Sequence, residues 1–165
     1  NYISGEPVTG LAEGRPLFVR SANDKFNLAN FMRAHLYASV GVLKIGNDIL
    51  FNEEKIKVDR ITGHGGLFKT KGVGQRVLAA AINSPISVME TAGEGGAWGI
   101  ALLASYLVNN ANGLNLADYL DKVVFAGDAG VEIAPTQEDV DGFNAYIENY
   151  KAGLAIEEAA VKAKK

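Results

Sequence analysis

Cysteine is absent from this 165-residue chain, and histidine occurs only twice. No disulfide, thiolate–metal site or thiol nucleophile can form without it. Two histidines, His35 and His64, cannot build a three-histidine centre, so no resident metal site is expected. Long apolar runs are missing too. The longest, Ala97–Val108, contains Gly99 and Ser105 and falls short of the ~18 residues a membrane span needs. Basic residues are not in excess: 16 Lys plus Arg stand against 19 Asp plus Glu, a net charge of −3. That balance argues against a protein whose main task is to neutralise a phosphate backbone, and no nucleic-acid partner is expected. The first residue is Asn1 rather than Met, and the opening segment is neither basic nor apolar enough for a signal peptide. The expectation is a fragment or cleaved piece of a longer chain, with the cytoplasm as its compartment.

The residues that are present suit a packed domain. Apolar residues make up 48% of the chain and charged residues 21%, which is too apolar for global disorder. The opening segment is punctuated by Gly5, Pro7, Gly10, Gly14 and Pro16 and reads as loop, with one short strand over Pro16–Arg20. From Asn27, Leu28, Met32, Leu36, Ser39, Leu43, Gly46 and Leu50 recur at three-to-four spacing and predict a helix. Gly41 and Gly46 weaken it by up to ~1 kcal/mol each, so small residues there point to close packing against a neighbour. Val58–Thr62 reads as a strand running into Gly63-His64-Gly65-Gly66. A second helix comes next, with Val73, Val77, Leu78, Ala81 and Ile82 inward, ended by Pro85. Ile86–Met89 reads as a strand, and Thr91-Ala92-Gly93-Glu94-Gly95-Gly96 opens a third helix from about Ala97 to Val108. Strand, glycine turn and helix repeated twice is the rhythm of an α/β fold with a parallel sheet.

The remainder reads as an appendage. Leu116–Phe125 is a short helix leading to a turn at Gly127 and Gly130, and Val131-Glu132-Ile133 alternates like a strand. Thr136 and Asp139 resemble a capping box ahead of a helix bearing Val140, Phe143, Ile147 and Tyr150 on one face, with Gly153 expected to break it. An Ala/Lys-rich amphipathic tail ends the chain.

Two glycine turns are where chemistry can sit. A glycine turn between strand and helix lets backbone N–H groups approach an anion. Gly63-His64-Gly65-Gly66 has Lys69, Lys71 and Arg76 just downstream, yet it matches neither the Walker loop nor the dinucleotide fingerprint. Gly93-Glu94-Gly95-Gly96 comes after the next strand, so both turns belong to the same sheet edge, where ligands of parallel sheets gather. Read without ligand, they are tight turns with solvated lysines, Glu94 is an exposed carboxylate and Trp98 a packing residue. His64 reads as bonding the turn backbone and His35 as a partly buried helix residue. Asp48 and Asp59 lack an obvious partner, and no Ser-His-Asp set is suggested. The chain offers binding apparatus without a catalytic base.

Specific stretches resemble a known family. Asn30-Phe31-Met32-Arg33-Ala34-His35-Leu36-Tyr37-Ala38 is similar to the Arg-Ala-His-Leu helix of the FGGY carbohydrate kinases, and Ile61-Thr62-Gly63-His64-Gly65-Gly66 to their Thr-Gly-Gly-Gly-Ala turn. Gln75–Ile82 with Pro85-Ile86 resembles the helix and strand that come after it, and Glu94–Ala104 the next, Ala-Leu-Gly-Ala-Ala helix. Ile133-Ala134-Pro135-Thr136 before a Tyr-containing helix resembles the family's C-terminal extension. The likeness runs in order from about Arg15 to Tyr150 and is nearest the xylulokinase and ribulokinase branch. His64 stands where the family has its middle glycine and Gly66 where it has alanine. The linker Leu67–Gly72 is longer than the family's, and Ser39-Val40-Gly41-Val42 replaces its Leu-Glu-Gly.

The resemblance implies a ribonuclease-H-like domain of the actin/hexokinase ATPase type, incomplete at its N-terminal edge, with a C-terminal helical extension. Residues 1–112 would form the core of the ATP-binding C-terminal kinase domain and 113–165 the extension. It implies ATP and Mg as cofactors and a pentulose-like sugar, of xylulose or ribulose type, as acceptor. The N-terminal sugar-binding domain of the same polypeptide would be the partner and would carry the aspartate base; a homodimer is compatible with it. By the same carry-over Gly63, Gly65 and Gly66, with His64 between them, would approach the ATP phosphates and ribose. Lys69 would reach the nucleoside, and Gly95 and Gly96 would border the adenine. Two rivals stand beside it: a non-catalytic interaction or regulatory module of this fold, and an actin-like ATPase domain unrelated to sugars.

Overall fold

The computed structural model describes residues 2–58, 60–110, 112–127 and 130–163. Asp59, Asn1 and the terminal lysines Lys164 and Lys165, which entered the sequence reading, lie outside them. Among the described residues, eight regular elements run in the order α1 (Leu28–Asp48), β1 (Ile61–Gly63), α2 (Val73–Ile82), β2 (Ile86–Val88), α3 (Gly95–Asn109), α4 (Leu116–Tyr119), β3 (Val131–Ile133) and α5 (Gln137–Lys162). They fall into two compact units interleaved along the chain. One holds residues 1–59, 77–84 and 135–165; the other holds 60–76 and 85–134.

The first unit is helical. Asn27 caps α1 by accepting a hydrogen bond from the Asn30 N–H at 2.8 Å, and Thr136 caps α5 by accepting from the Asp139 N–H. Phe143 and Ile147 of α5 are fully or nearly fully buried, with Val140 and Tyr150 on the same face. Tyr37 of α1 packs against Phe143 at 4.7 Å between ring centroids. A Cβ on Gly41 would lie 3.5 Å from the Ile147 side chain, so this glycine does sit at a close helix–helix approach. Gly46 faces open space.

Three expectations fail here. The predicted strand over Pro16–Arg20 shrinks to one antiparallel bridge, Leu17 with Tyr2, closed by two N–H···O bonds of 2.9 Å. Gly153 does not break the last helix; α5 runs through it to Lys162. There the Tyr2 hydroxyl fills the space a side chain would need. After α1 the chain continues into a π-turn over Ile49–Glu53, a geometry to which 3.6-residue periodicity is blind.

The second unit carries a three-stranded sheet in the order β1-β2-β3. β1 and β2 are parallel, with Ile61 opposite Ile86 and Gly63 opposite Val88. β3 is antiparallel to β2, with Val131 opposite Val88, so the sheet is mixed rather than wholly parallel. β1 begins at Ile61, not Val58. One step upstream of Ile86 stands Pro85, which has no N–H to extend the ladder. α3 begins two residues earlier than expected, at Gly95.

Candidate functional site

The parallel pair decides where the site lies. Because β1 and β2 run the same way, their carboxyl ends, Gly63 and Val88, share one edge of the sheet. Antiparallel β3 brings its beginning, Gly130-Val131, to that same edge. Both glycine turns leave from it, and the backbone joins them: the Gly65 N–H donates to the Ala92 carbonyl at 2.8 Å. Gly65 has φ +97° and ψ −173°, a region that essentially only glycine occupies. The chain then coils through a short 3-10 turn, Gly66–Phe68, and the Phe68 ring lies directly over Gly63, leaving no room for a Cβ.

A cleft of about 970 Å³ opens along this edge, at the upper end of ligand-pocket sizes. Its apolar lining includes Phe68, Val88, Met89, Val131 and Ile133. Charged residues line it as well: Lys69, Lys71, Glu90 and Glu94. Gln75 reaches it from α2 and is only 4% exposed. Its Nε2 donates to the carbonyls of Ile86 and Val131, both at 2.6 Å, tying β2 to β3 beneath the cleft.

Of the predicted site residues, Lys69 lines the cleft. Its ammonium pairs with Glu94 at 2.8 Å, and both side chains are well exposed. The hydrogen bond from Lys69, with its charge, holds the Glu94 carboxyl below the usual carboxylate range. Gly63 ends β1, His64, Gly65 and Gly66 come directly after it, and Gly95 and Gly96 open α3; the cleft lining contains none of the six. His64 rests against Gly95, where a Cβ would lie 3.4 Å from Nδ1. Above Gly66 and Gly96 the space is open. Trp98 is 39% exposed, so it is not the packing residue its sequence context suggests.

Sequence reasoning misses Gln75 as a lining residue, and with it Met89, Glu90, Gly127 and Gly130. Gln75 carries a signal: it shares the helical phase of Leu78 and Ile82, so a polar amide falls on the apolar face of α2. The others come from loops whose meeting depends on the sheet. Among the described residues no group of three or more His, Asp or Glu side chains could hold a metal. None of their helices is long and apolar enough to cross a membrane.

A mixed α/β sheet with glycine turns and a cleft beyond the carboxyl ends of its parallel strands has the layout in which open α/β sheets take their ligands. Residues 1–108 match the family model described as the FGGY family of carbohydrate kinases, C-terminal domain. The match covers more than half of the chain, which therefore belongs to this family, whose domain is of the sugar-kinase/actin-like ATPase type. No curated protein matches the chain, and no solved structure does.

Proposed function

We propose that this chain is the nucleotide-binding C-terminal part of an ATP-dependent sugar kinase that phosphorylates a pentulose-like substrate of xylulose or ribulose type. The observation that carries the reading is the meeting of the two glycine turns beside an open cleft, in a chain of carbohydrate-kinase family. Gly63, His64, Gly65 and Gly66 would face the phosphates and ribose, Lys69 the nucleoside, and Gly95 and Gly96 the adenine side. Residues 1–112 would form the kinase-domain core, ribonuclease-H-like and short of its N-terminal edge, with 113–165 as the extension. Phosphoryl transfer depends on positioning and charge more than on covalent chemistry, so oriented amides and a few lysines suffice on this side. The base that accepts the sugar hydroxyl proton would come from the N-terminal sugar-binding domain. Mg would come with the nucleotide phosphates and supply positive charge for the transfer.

The test is ATP turnover by the full-length protein across a ketopentose panel, with ATP binding measured alongside by calorimetry. Phosphorylation of a ketopentose is the expected result. ATP binding without turnover on any sugar would replace the kinase with the non-catalytic or actin-like reading. Absence of ATP binding would overturn the nucleotide assignment itself.

A further inference from the structure

Lys69 and Glu94 come from different turns, 25 positions apart in sequence, and meet at 2.8 Å on the rim of the cleft. The approach is shaped by backbone. Gly65 donates to Ala92, which sets the two turns side by side, and the Lys69 stem passes over Gly93, where a Cβ would lie 3.2 Å from its Cγ. A bare glycine at that point gives the lysine a path toward Glu94. Among the described residues the charged lining of the cleft is balanced, two lysines against two glutamates, and Glu94 takes up one of the two lysines.

We infer that Glu94 acts as an internal competitor for the anionic group of the ligand: its carboxylate occupies on Lys69 the place that a nucleotide phosphate takes, and must swing away for the phosphate to bind. The inference rests on the nucleotide reading of the cleft and revises one part of it: Lys69, set against the nucleoside by the family likeness, serves the phosphate-bearing part of the ligand instead, and Glu94 sets the affinity for that part. The exchange is cheap in both directions, because both side chains are well exposed and an exposed ion pair is weak. Lys69 is then available only to a ligand with a stronger claim on it than a single carboxylate. A phosphate, with more charge and more acceptor oxygens, has such a claim.

The experiment uses the intact protein and titrates it with ATP and with adenosine, in the wild type, E94Q, K69M and the double variant. E94Q should tighten ATP about two- to fivefold, the range expected for release of an exposed pair, and leave adenosine unchanged. K69M should weaken ATP, and E94Q should have no further effect in that background, since the competition runs through Lys69. Weakening of both ligands by E94Q would overturn the inference and make Glu94 a direct ligand, for instance to a ribose hydroxyl. Equal tightening with and without Lys69 would also overturn it, leaving only a long-range field effect. If the wild type binds ATP and E94Q changes nothing, the inference fails while the nucleotide reading stands. If the wild type binds no nucleotide, both fall.

Discussion

The Tyr2 hydroxyl occupies the space that a side chain at Gly153 would fill, and donates a buried 2.7 Å hydrogen bond to the Tyr150 carbonyl one turn earlier. The Tyr2 ring is itself packed on Tyr150, with centroids 4.8 Å apart, so it cannot simply step aside. Gly153→Ala should therefore destabilise the protein despite gaining about 1 kcal/mol of helix propensity. Overpacking typically costs about 1–3 kcal/mol, and displacing the hydrogen bond adds about 1 kcal/mol. Denaturant unfolding should show a net loss. Repeating the substitution with Tyr2→Phe should recover part of it, because the atom in the way is the hydroxyl. A loss unchanged by Tyr2→Phe would assign the effect elsewhere.

The same contact explains why sequence alone misplaces the end of α5. A glycine in a helical pattern reads as a stop when nothing local explains it, and the explanation lies about 150 residues away in Tyr2. Local signals do better. Asn27 and Thr136 cap their helices as their residue types suggest, and the apolar spacing of α5 marks its buried face; in α1 the spacing misleads, since Leu28, Met32 and Leu43 of the expected stripe are exposed and Val40 and Gly41 are buried. The direction of β3 is illegible because Val131-Glu132-Ile133 alternates identically in either orientation, and the long connection from β2 permits both. For the site, two glycine turns are visible in the sequence as separate features. The Gly65–Ala92 bond and the Lys69–Glu94 pair that unite them are not, since both depend on the strand register.

Gly65 and Gly66 separate architecture from binding. Gly65 has open space around its Cα, so Gly65→Ala meets no atom, yet its backbone lies where a Cβ is disfavoured. We expect Gly65→Ala to cost about 1–3 kcal/mol through strain alone. Gly66 also faces open space and shows no positive φ, so Gly66→Ala should remain within about 1 kcal/mol of wild type. If the nucleotide lies over this turn, Gly66→Ala should nonetheless weaken ATP binding. Thermal unfolding and ATP calorimetry on both variants check this. A stable Gly66→Ala with unaltered ATP affinity would remove Gly66 from the site.

Gln75 gives a chemical rather than steric prediction. Its amide donates to two strand carbonyls from a buried position, so Gln75→Leu should lose about 2–4 kcal/mol, from two hydrogen bonds and the carbonyls left dry. Gln75→Glu should be worse at neutral pH, because an ionised carboxylate has no proton to give and faces two acceptors. Protonation restores one donor. The Gln75→Glu deficit should therefore narrow as pH falls toward the carboxyl range, while the Gln75→Leu deficit stays constant. Parallel pH dependence of the two variants would contradict the assigned hydrogen bonds.

Glu157 carries the opposite sign from the carboxylates of ordinary ion pairs. It is 1% exposed and accepts the Arg15 backbone N–H at 3.3 Å. Burial pushes its carboxyl above the ordinary value of 4.5, and the Arg15 hydrogen bond only partly opposes this. A carboxyl whose pKa rises on folding holds more protons in the native than in the unfolded state. Stability must then fall as pH climbs from the unfolded value through the folded one, and the penalty is complete above it. Glu157→Gln keeps the shape and removes the charge, so that component should vanish. Melting temperatures taken from pH 4 to pH 8 should show wild type losing ground to Glu157→Gln as pH rises, with the gap constant once Glu157 is ionised. The gap should lie entirely on the wild-type side of the comparison, since the amide has nothing to titrate. A wild type that instead gains on the variant with rising pH would mean that Glu157 is stabilised as an anion, and that burial is not what governs it.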